Sequence, residues 1–237
     1  MGTAGLVIDP RFNGPPGSGH GGYCAGRAAA LVDAPRGTAV EVTLRRPVPL
    51  ATALEAAPRE GGGVALSAGG ELVMTARPVP APALERRPAI GVAAALAAAD
   101  PNRWGGEHPF PTCFGCGPDR DPAEALRLFA GRAGDDRFAV AWTPADWAGR
   151  DGVAAPEFVW AAVDCPSASP AAGGDAVVLG RLTLAIGGPP VPLGRPAVVE
   201  SWSEAVDGRK HHTAVVVHDG AGAVHAHGRA VWIAVPR

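Results

Sequence analysis

The feature that most constrains the fold of this chain is a weak internal repeat. In each half, a short apolar helix is followed by a strand, a proline-containing bend and further strands, and the bend reads RRPVPL in one half and GGPPVPL in the other. The sequence predicts the two helices at residues 20–32 and 156–164. The alternation in TAVEVTLRRPV predicts a strand. Because a helix followed by an antiparallel meander occurs twice, we predict an α+β fold of two tandem units.

The length of the chain accommodates this organisation, because 237 residues suffice for two units of about 100 residues each. A proline-rich stretch, RPVPAPALERRP, predicts an extended linker between them. We place the N-terminal half at residues 1–85, the linker at 86–108 and the C-terminal half at 109–237. Within the linker, GVAAALAAAD predicts one short helix.

Composition excludes several classes of function. The formal net charge of -2 leaves no basic face for nucleic acid. No window approaches the ~18 apolar residues of a membrane span, and the N-terminus has no signal-peptide pattern. We therefore expect no membrane partner and a cytoplasmic protein whose four cysteines are thiols. The excess of arginine over lysine indicates a GC-rich bacterial genome.

The start of the first predicted helix is the first candidate site. His20, Gly21 and Gly22 precede an apolar run, so backbone N–H groups and the positive end of the helix dipole would point at a ligand. A turn and helix cap accounts for the same residues. The helix itself carries no carboxylate that could act as a base.

Three short segments resemble the hotdog-fold acyl-CoA thioesterase superfamily in its tandem, double-hotdog form. They are His20-Gly21-Gly22, the helix that ends in Val163-Asp164, and CFGCGPDRDPAEALRLF at residues 113–129. The resemblance implies two hotdog units, each an antiparallel sheet wrapped around a central helix.

The two halves differ from the superfamily pattern in complementary ways. That pattern places an acidic residue nine positions after the histidine, where this chain has Ala29. Counting back nine positions from Asp164 leads to Ala155, without a His-Gly-Gly. The resemblance implies that the paired helices combine the Gly21 and Gly22 helix start with Asp164 in one composite site.

The function implied by this resemblance is thioester hydrolysis. Asp164 would be general base or nucleophile, the N–H groups of Gly21 and Gly22 would stabilise the oxyanion, and His20 would be a catalytic residue that acts as a positioning group. The substrate would be an acyl-CoA or another small thioester, with coenzyme A as part of the substrate and no further cofactor. A homodimer of double hotdogs is a further expectation. The alternatives are a non-catalytic hotdog module that binds an acyl thioester or small apolar ligand, and a hotdog dehydratase.

Four other residues are candidates for the same site. Glu157 could be a second catalytic carboxylate, although glutamate is common in a first helical turn for capping and dipole reasons. Trp160 shares a helical face with Glu157 and Asp164 and could line the cleft or belong to the core. Arg209 and Lys210, at the start of a hairpin, could bind coenzyme A phosphates or be solvated charges.

The remaining motif is a single Cys-x-x-Cys at Cys113 and Cys116. Zinc needs two more ligands, and no second Cys-x-x-Cys or paired histidines follow. His108, Cys24 or Cys165 could contribute only if the fold brought them close. We therefore expect no metal site.

Overall fold

The computed structural model describes residues 5–35, 37–103, 107–134, 136–171 and 176–235. Within these ranges there are three α-helices: α1 (Gly21–Ala29), α2 (Val92–Ala98) and α3 (Pro156–Ala168). The strands of the first half are β1 (Leu6–Val7), β2 (Thr38–Leu44), β3 (Ala53–Arg59), β4 (Gly63–Ala68) and β5 (Glu71–Pro80). Those of the second half are β6 (Gly131–Arg132), β7 (Arg137–Trp142), β8 (Gly149–Arg150), β9 (Val153–Ala154), β10 (Val177–Ile186), β11 (Ala197–Asp207), β12 (Lys210–His218) and β13 (Val224–Ala234).

Eleven of these strands form one antiparallel sheet in the order β1-β3-β4-β5-β2-β10-β13-β12-β11-β7-β6. The strands of the two halves meet at β2 and β10, where Thr43 pairs with Arg181 and Val40 with Leu184. The two expected sheets are therefore joined edge to edge. A single cluster of buried apolar side chains likewise draws on both halves.

Helices α1 and α3 lie against each other because α1 carries glycines on the shared face. A Cβ atom added at Gly26 would lie 2.7 Å from the Cα of Glu157, and one added at Gly22 would collide with the carbonyl oxygen of Trp160. Only glycine permits this close approach of the two backbones. The contact brings the start of α1 next to the third turn of α3.

Both helices differ in length from the sequence prediction. The first was expected at residues 20–32 and ends at Ala29, since a turn and Pro35 follow. The second was expected to end at residue 164, before Pro166, and instead continues to Ala168. Beyond the proline, Ser167 Oγ donates to the carbonyl of Asp164 and Ser201 Oγ to that of Pro166, so carbonyl groups of the last turn have partners. Asp164 therefore lies inside the helix and not at its C-terminus.

The predicted strands are present in the structure, whereas β7 and the two-residue strands β1, β6, β8 and β9 were not predicted. The hairpin predicted at Ala68-Gly69-Gly70 connects β4 and β5, with positive φ at both glycines. Strand β7 was not predicted, because its six residues form a sheet strand only through pairing with β11. In the expected linker, residues 86–108, the predicted short helix is α2, and residues 104–106 lie outside the described ranges.

Candidate functional site

His20 forms the N-cap of α1, a position where serine, threonine or aspartate is usual. Its side chain is 1% exposed, and Nδ1 accepts a hydrogen bond of 3.2 Å from the backbone N–H of Tyr23. A neutral imidazole that accepts at Nδ1 carries its proton on Nε2, so we assign that tautomer from the hydrogen bonding. The Nε2–H group is thus a donor at the start of α1.

Asp164, on α3, lies directly against this helix start. Its Oδ2 atom accepts a hydrogen bond of 2.6 Å from Gly22 N and lies 3.2 Å from Nε2 of His20. Among the described residues, its buried Oδ1 atom has no hydrogen-bond partner. These contacts correct two expectations: no acyl group fits between Asp164 and Gly22, and the Gly22 N–H holds the carboxylate instead of awaiting an oxyanion.

Burial changes the proton affinity of this pair. Removal from water raises the pKa of Asp164, while His20 and the Gly22 N–H act in the opposite direction, and the net shift is upward. For His20, burial lowers the pKa, but the charge of Asp164 and the neighbouring Cys113 outweigh it and the pKa is raised. The Tyr23 N–H opposes this shift, since Nδ1 cannot accept it once the ring is charged. A proton shared between two buried groups is a common arrangement in catalytic sites.

A cavity of about 370 Å³ borders the pair. Apolar side chains form much of its wall, including Val48, Leu179 and Trp232. Gly21 also lines it, whereas Gly22 does not. Arg45 and Arg46 are exposed and border the same cavity. The cavity therefore joins an apolar chamber to a buried carboxylate and to two exposed cationic side chains, and Arg103 lines it as well.

Three cysteines lie on the same wall, together with His20. The Sγ atoms of Cys113 and Cys165 are 3.8 Å apart, and His20 Nε2 is 3.4 Å from Cys165 Sγ. The ligand atoms of His20, Cys113 and Cys165 all lie within 4.8 Å of one another, and Cys116 lines the same cavity. The premise that Cys113 and Cys116 lack further ligands is thus wrong. The sequence named Cys165 as one of three residues that could join Cys113 and Cys116, and the fold brings Cys165 close. The presence of His20 beside them was not predicted.

The segment that carries Cys113 and Cys116 is fixed against α1 and α3. Phe114 is fully buried, and its ring packs edge-on against Phe12 at a centroid distance of 5.0 Å and against His20 at 5.8 Å. Its backbone N–H donates to the carbonyl of Asn13. A Cβ atom at Gly115 would lie 2.5 Å from Cys165 Sγ, so glycine is needed there to let the loop approach α3.

The environment favours ionisation of one thiol in the cluster. The thiols of Cys116 and Cys165, together with His20, hold the pKa of Cys113 well below its usual range. The pKa values of Cys116 and Cys165 are raised, mainly because each donates to Cys113. Cys24 is buried apart from this group, and burial raises the pKa of its thiol strongly.

The structure does not bring the other candidates to the cavity. Glu157 is half-buried and Trp160 buried, and both pack at the contact between α3 and α1. Neither lines the cavity beside Asp164. Arg209 and Lys210 are exposed at the turn between β11 and β12, and they too are not part of the cavity lining.

Comparisons with known proteins identify the fold. No family model and no curated protein matches the chain. The TesB protein of Mycobacterium avium subsp. paratuberculosis superposes with a TM-score of 0.64 at 14% identity, covering 98% of this chain and 92% of that one. A candidate thioesterase from Novosphingobium aromaticivorans superposes with a TM-score of 0.63 at 14% identity, covering 98% of this chain and 95% of that one. A hotdog-fold protein of unknown function from Alicyclobacillus acidocaldarius superposes with a TM-score of 0.66 at 12% identity, covering 98% of this chain and 93% of that one.

At such identities the likeness concerns architecture and not activity. The chain has the hotdog fold, which confirms that part of the sequence prediction. No helix within the described ranges is long and apolar enough to cross a membrane.

Proposed function

We propose that this protein is a thioesterase-like hydrolase of acyl-CoA thioesters, built from two tandem hotdog units that share one composite site. The observation that carries the proposal is the position of Asp164. A buried carboxylate from the second half is held at the histidine-capped start of a helix from the first half, on the wall of a largely apolar cavity. The thioesterase name of the structural neighbour from Novosphingobium aromaticivorans supports the same activity.

The chemistry assigns a task to each group. The acyl chain would occupy the apolar chamber, and the carbonyl oxygen would face the start of α1, where the dipole and the Gly21 N–H stabilise negative charge. Asp164 would take a proton from water as the water attacks the carbonyl carbon. The C–S bond then breaks, and the proton passes to the departing thiolate. In the other route Asp164 attacks the carbonyl carbon, the C–S bond breaks and the thiolate departs, which leaves an anhydride. Water then hydrolyses the anhydride, which restores the Asp164 carboxylate, releases the carboxylic acid and provides the proton for the thiolate.

The contacts of the carboxylate favour Oδ1 as the reacting atom. Oδ2 is committed to Gly22 and His20, whereas Oδ1 has no hydrogen-bond partner among the described residues. His20 therefore serves to position Asp164, and Gly22 does the same. The coenzyme A phosphates would meet Arg45 and Arg46 at the cavity, because these are exposed cations on its lining.

A second function, binding of an acyl thioester or small apolar ligand without turnover, has one specific observation in its favour. The Gly22 N–H, which resembles an oxyanion donor by sequence, is already bound to Asp164. A site with a blocked donor would hold a ligand without stabilising its transition state.

The experiment that separates the two is a panel of acyl-CoA substrates of increasing chain length, assayed by release of free thiol. Blanks without substrate account for the four cysteines of the protein. We expect turnover by the wild type and a fall of at least ~10²-fold in Asp164→Asn, the scale of losing a general base. Glu157→Gln is the matched control and should retain activity, since Glu157 lies outside the cavity lining.

Binding of a non-hydrolysable acyl-CoA analogue by Asp164→Asn should change little, because the apolar chamber is intact. Absence of turnover on every thioester, together with binding of the analogue, would establish the binding function instead. Loss of activity in Glu157→Gln with full activity in Asp164→Asn would make Glu157 the catalytic acid.

A further inference from the structure

We propose that Cys113, Cys116 and Cys165 bind one thiophilic metal ion as thiolates, on the wall of the cavity and next to His20. This inference replaces the expectation of no metal, which rested on Cys-x-x-Cys alone. It stands independently of thioester hydrolysis. Thiolate ligands select zinc and other soft ions, and zinc is the probe we choose.

The spacing of the sulfur atoms is that of a metal site. With Zn–S bonds of about 2.3 Å, two sulfur ligands of a tetrahedral ion lie about 3.8 Å apart. The Sγ atoms of Cys113 and Cys165 are separated by 3.8 Å, without a disulfide between them. Cys116 lines the same cavity as Cys113 and Cys165, beside the group of His20, Cys113 and Cys165 whose ligand atoms lie within 4.8 Å of one another.

Distant parts of the chain must converge to build this group. Cys113 and Cys116 come from a loop and Cys165 from α3, 52 residues away from Cys113. The Gly117 N–H donates to the Cys113 carbonyl and the Leu128 N–H to the Gly115 carbonyl, which fixes the loop locally. Three of the four cysteines in the chain are thus held on the lining of one cavity.

The charge balance also suits three thiolates. Three thiolates and a divalent ion leave one net negative charge, which is costly inside a protein unless a cation compensates it. The guanidinium of Arg103 is near both Cys116 and Cys165 and borders the same cavity. It supplies the compensating charge.

His20 stands beside the ion as a hydrogen-bond donor and not as a ligand. Its Nδ1 atom accepts the Tyr23 N–H, so the proton is on Nε2, 3.4 Å from Cys165 Sγ. A metal bound at Nε2 would require that proton to move to Nδ1 and the helix cap to break. An N–H group that donates to a ligating sulfur is a common neighbour of metal sites. The fourth position is then left to water or another small ligand.

The first test is the metal content of the full-length protein after purification without chelators under reducing conditions. We expect about one zinc per chain in the wild type and loss of it in Cys113→Ser, Cys116→Ser and Cys165→Ser. Cys24→Ser is the matched control, because Cys24 is buried like Cys113 but lies outside the group, and it should keep the zinc. His20→Gln should also keep the zinc.

A second measurement covers variants that fail to fold. A chelator removes bound metal from the wild-type protein, and circular dichroism checks that the protein is still folded. This protein is then titrated with Co²⁺. We expect thiolate-to-cobalt charge-transfer absorption that saturates at one equivalent, and protection of three thiols from a thiol reagent. Absence of both zinc and the cobalt band in the wild type would overturn the proposal. Zinc that persists in all three serine variants would show an adventitious ion only, and loss in His20→Gln would overturn the three-thiolate assignment.

Discussion

The Oδ2 atom of Asp164 lies 2.6 Å from the backbone nitrogen of Gly22, so a carboxylate on α3 binds the first turn of α1. The two residues are 142 positions apart in the chain. This contact joins the two halves at the point where the cavity, the capping histidine and the cysteine group meet. Its consequences concern both stability and catalysis.

The close packing at Gly22 predicts a loss of stability on substitution by alanine. A new Cβ would lie 2.6 Å from the Cβ of Asp164 and would collide with the Trp160 carbonyl. We expect Gly22→Ala to lower the free energy of unfolding by about 1–3 kcal/mol, despite the better helix propensity of alanine. Urea unfolding measures this change.

The control for that substitution is Gly187→Ala. Gly187 is exposed, and a Cβ there would have no neighbour within 4 Å. This substitution should change the free energy of unfolding by no more than about 0.5 kcal/mol. Equal effects of the two substitutions would contradict the close packing of the helices.

The pKa of Asp164 predicts the pH dependence of hydrolysis. The base must be ionised, and burial raises its pKa above the ordinary value of 3.8. Activity should therefore fall on acidification through a midpoint above pH 3.8. His20 lowers the pKa of Asp164, so His20→Gln should raise it and move the midpoint to higher pH. A pH–rate profile that is identical in the two proteins would show that Asp164 is not the titrating group.

The cations on the cavity lining predict a selective effect on coenzyme A binding. Replacing Arg45 and Arg46 together by alanine should raise KM for an acyl-CoA roughly tenfold, which corresponds to about 1.4 kcal/mol. KM for the same acyl group on N-acetylcysteamine, which has no phosphates, should not change. Steady-state kinetics on the two substrates measures both effects.

The double alanine variant of Arg209 and Lys210 is the comparison. Both side chains are exposed and lie outside the cavity lining, so KM for acyl-CoA should be unaffected. A selective rise in KM in this variant, with none in the Arg45 and Arg46 variant, would assign the phosphates to the hairpin.

A buried ion pair away from the cavity predicts part of the acid sensitivity of the fold. Glu200 is 3% exposed and accepts hydrogen bonds from Arg137 at 2.9 Å and His218 at 3.3 Å. Burial raises the pKa of Glu200, but His218 and Arg137 outweigh it and the net shift is downward. Because the folded-state pKa is lowered, this stabilisation is present above the ordinary value of 4.5 and is lost as pH falls below it.

Glu200→Gln should therefore destabilise the protein at neutral pH by roughly 1–3 kcal/mol and flatten the pH dependence of stability below pH 4.5. Urea unfolding at a series of pH values measures both. Glu204→Gln removes an ion pair with the half-exposed Arg229 and should cost less than about 1 kcal/mol. If the free energy of unfolding fell more steeply with decreasing pH in Glu200→Gln than in the wild type, a lowered pKa of Glu200 would be contradicted.

The sequence by itself determined the local elements and the first part of the site. The local signals are the alternation of apolar and polar residues, the glycine turns and the proline bends, and each depends on residues only a few positions apart. The helix starts and most of the long strands could therefore be predicted. The resemblance to the thioesterase superfamily singled out Asp164, although its position was taken as the end of a helix. His20, Gly21 and Gly22 were recognisable because a helix start is a local feature.

Only the tertiary structure decided which distant groups share a cavity. Three contacts depend on packing between elements that are far apart in the chain. They are the pairing of β2 with β10, the burial of Asp164 against Gly22 and the approach of Cys165 to Cys113. Spacing along the sequence carries no information about such contacts, because they form when glycines let the helices approach and when buried rings fix a loop. The same holds for the cations: Arg45 rather than Arg209 borders the cavity, and charge alone did not distinguish them.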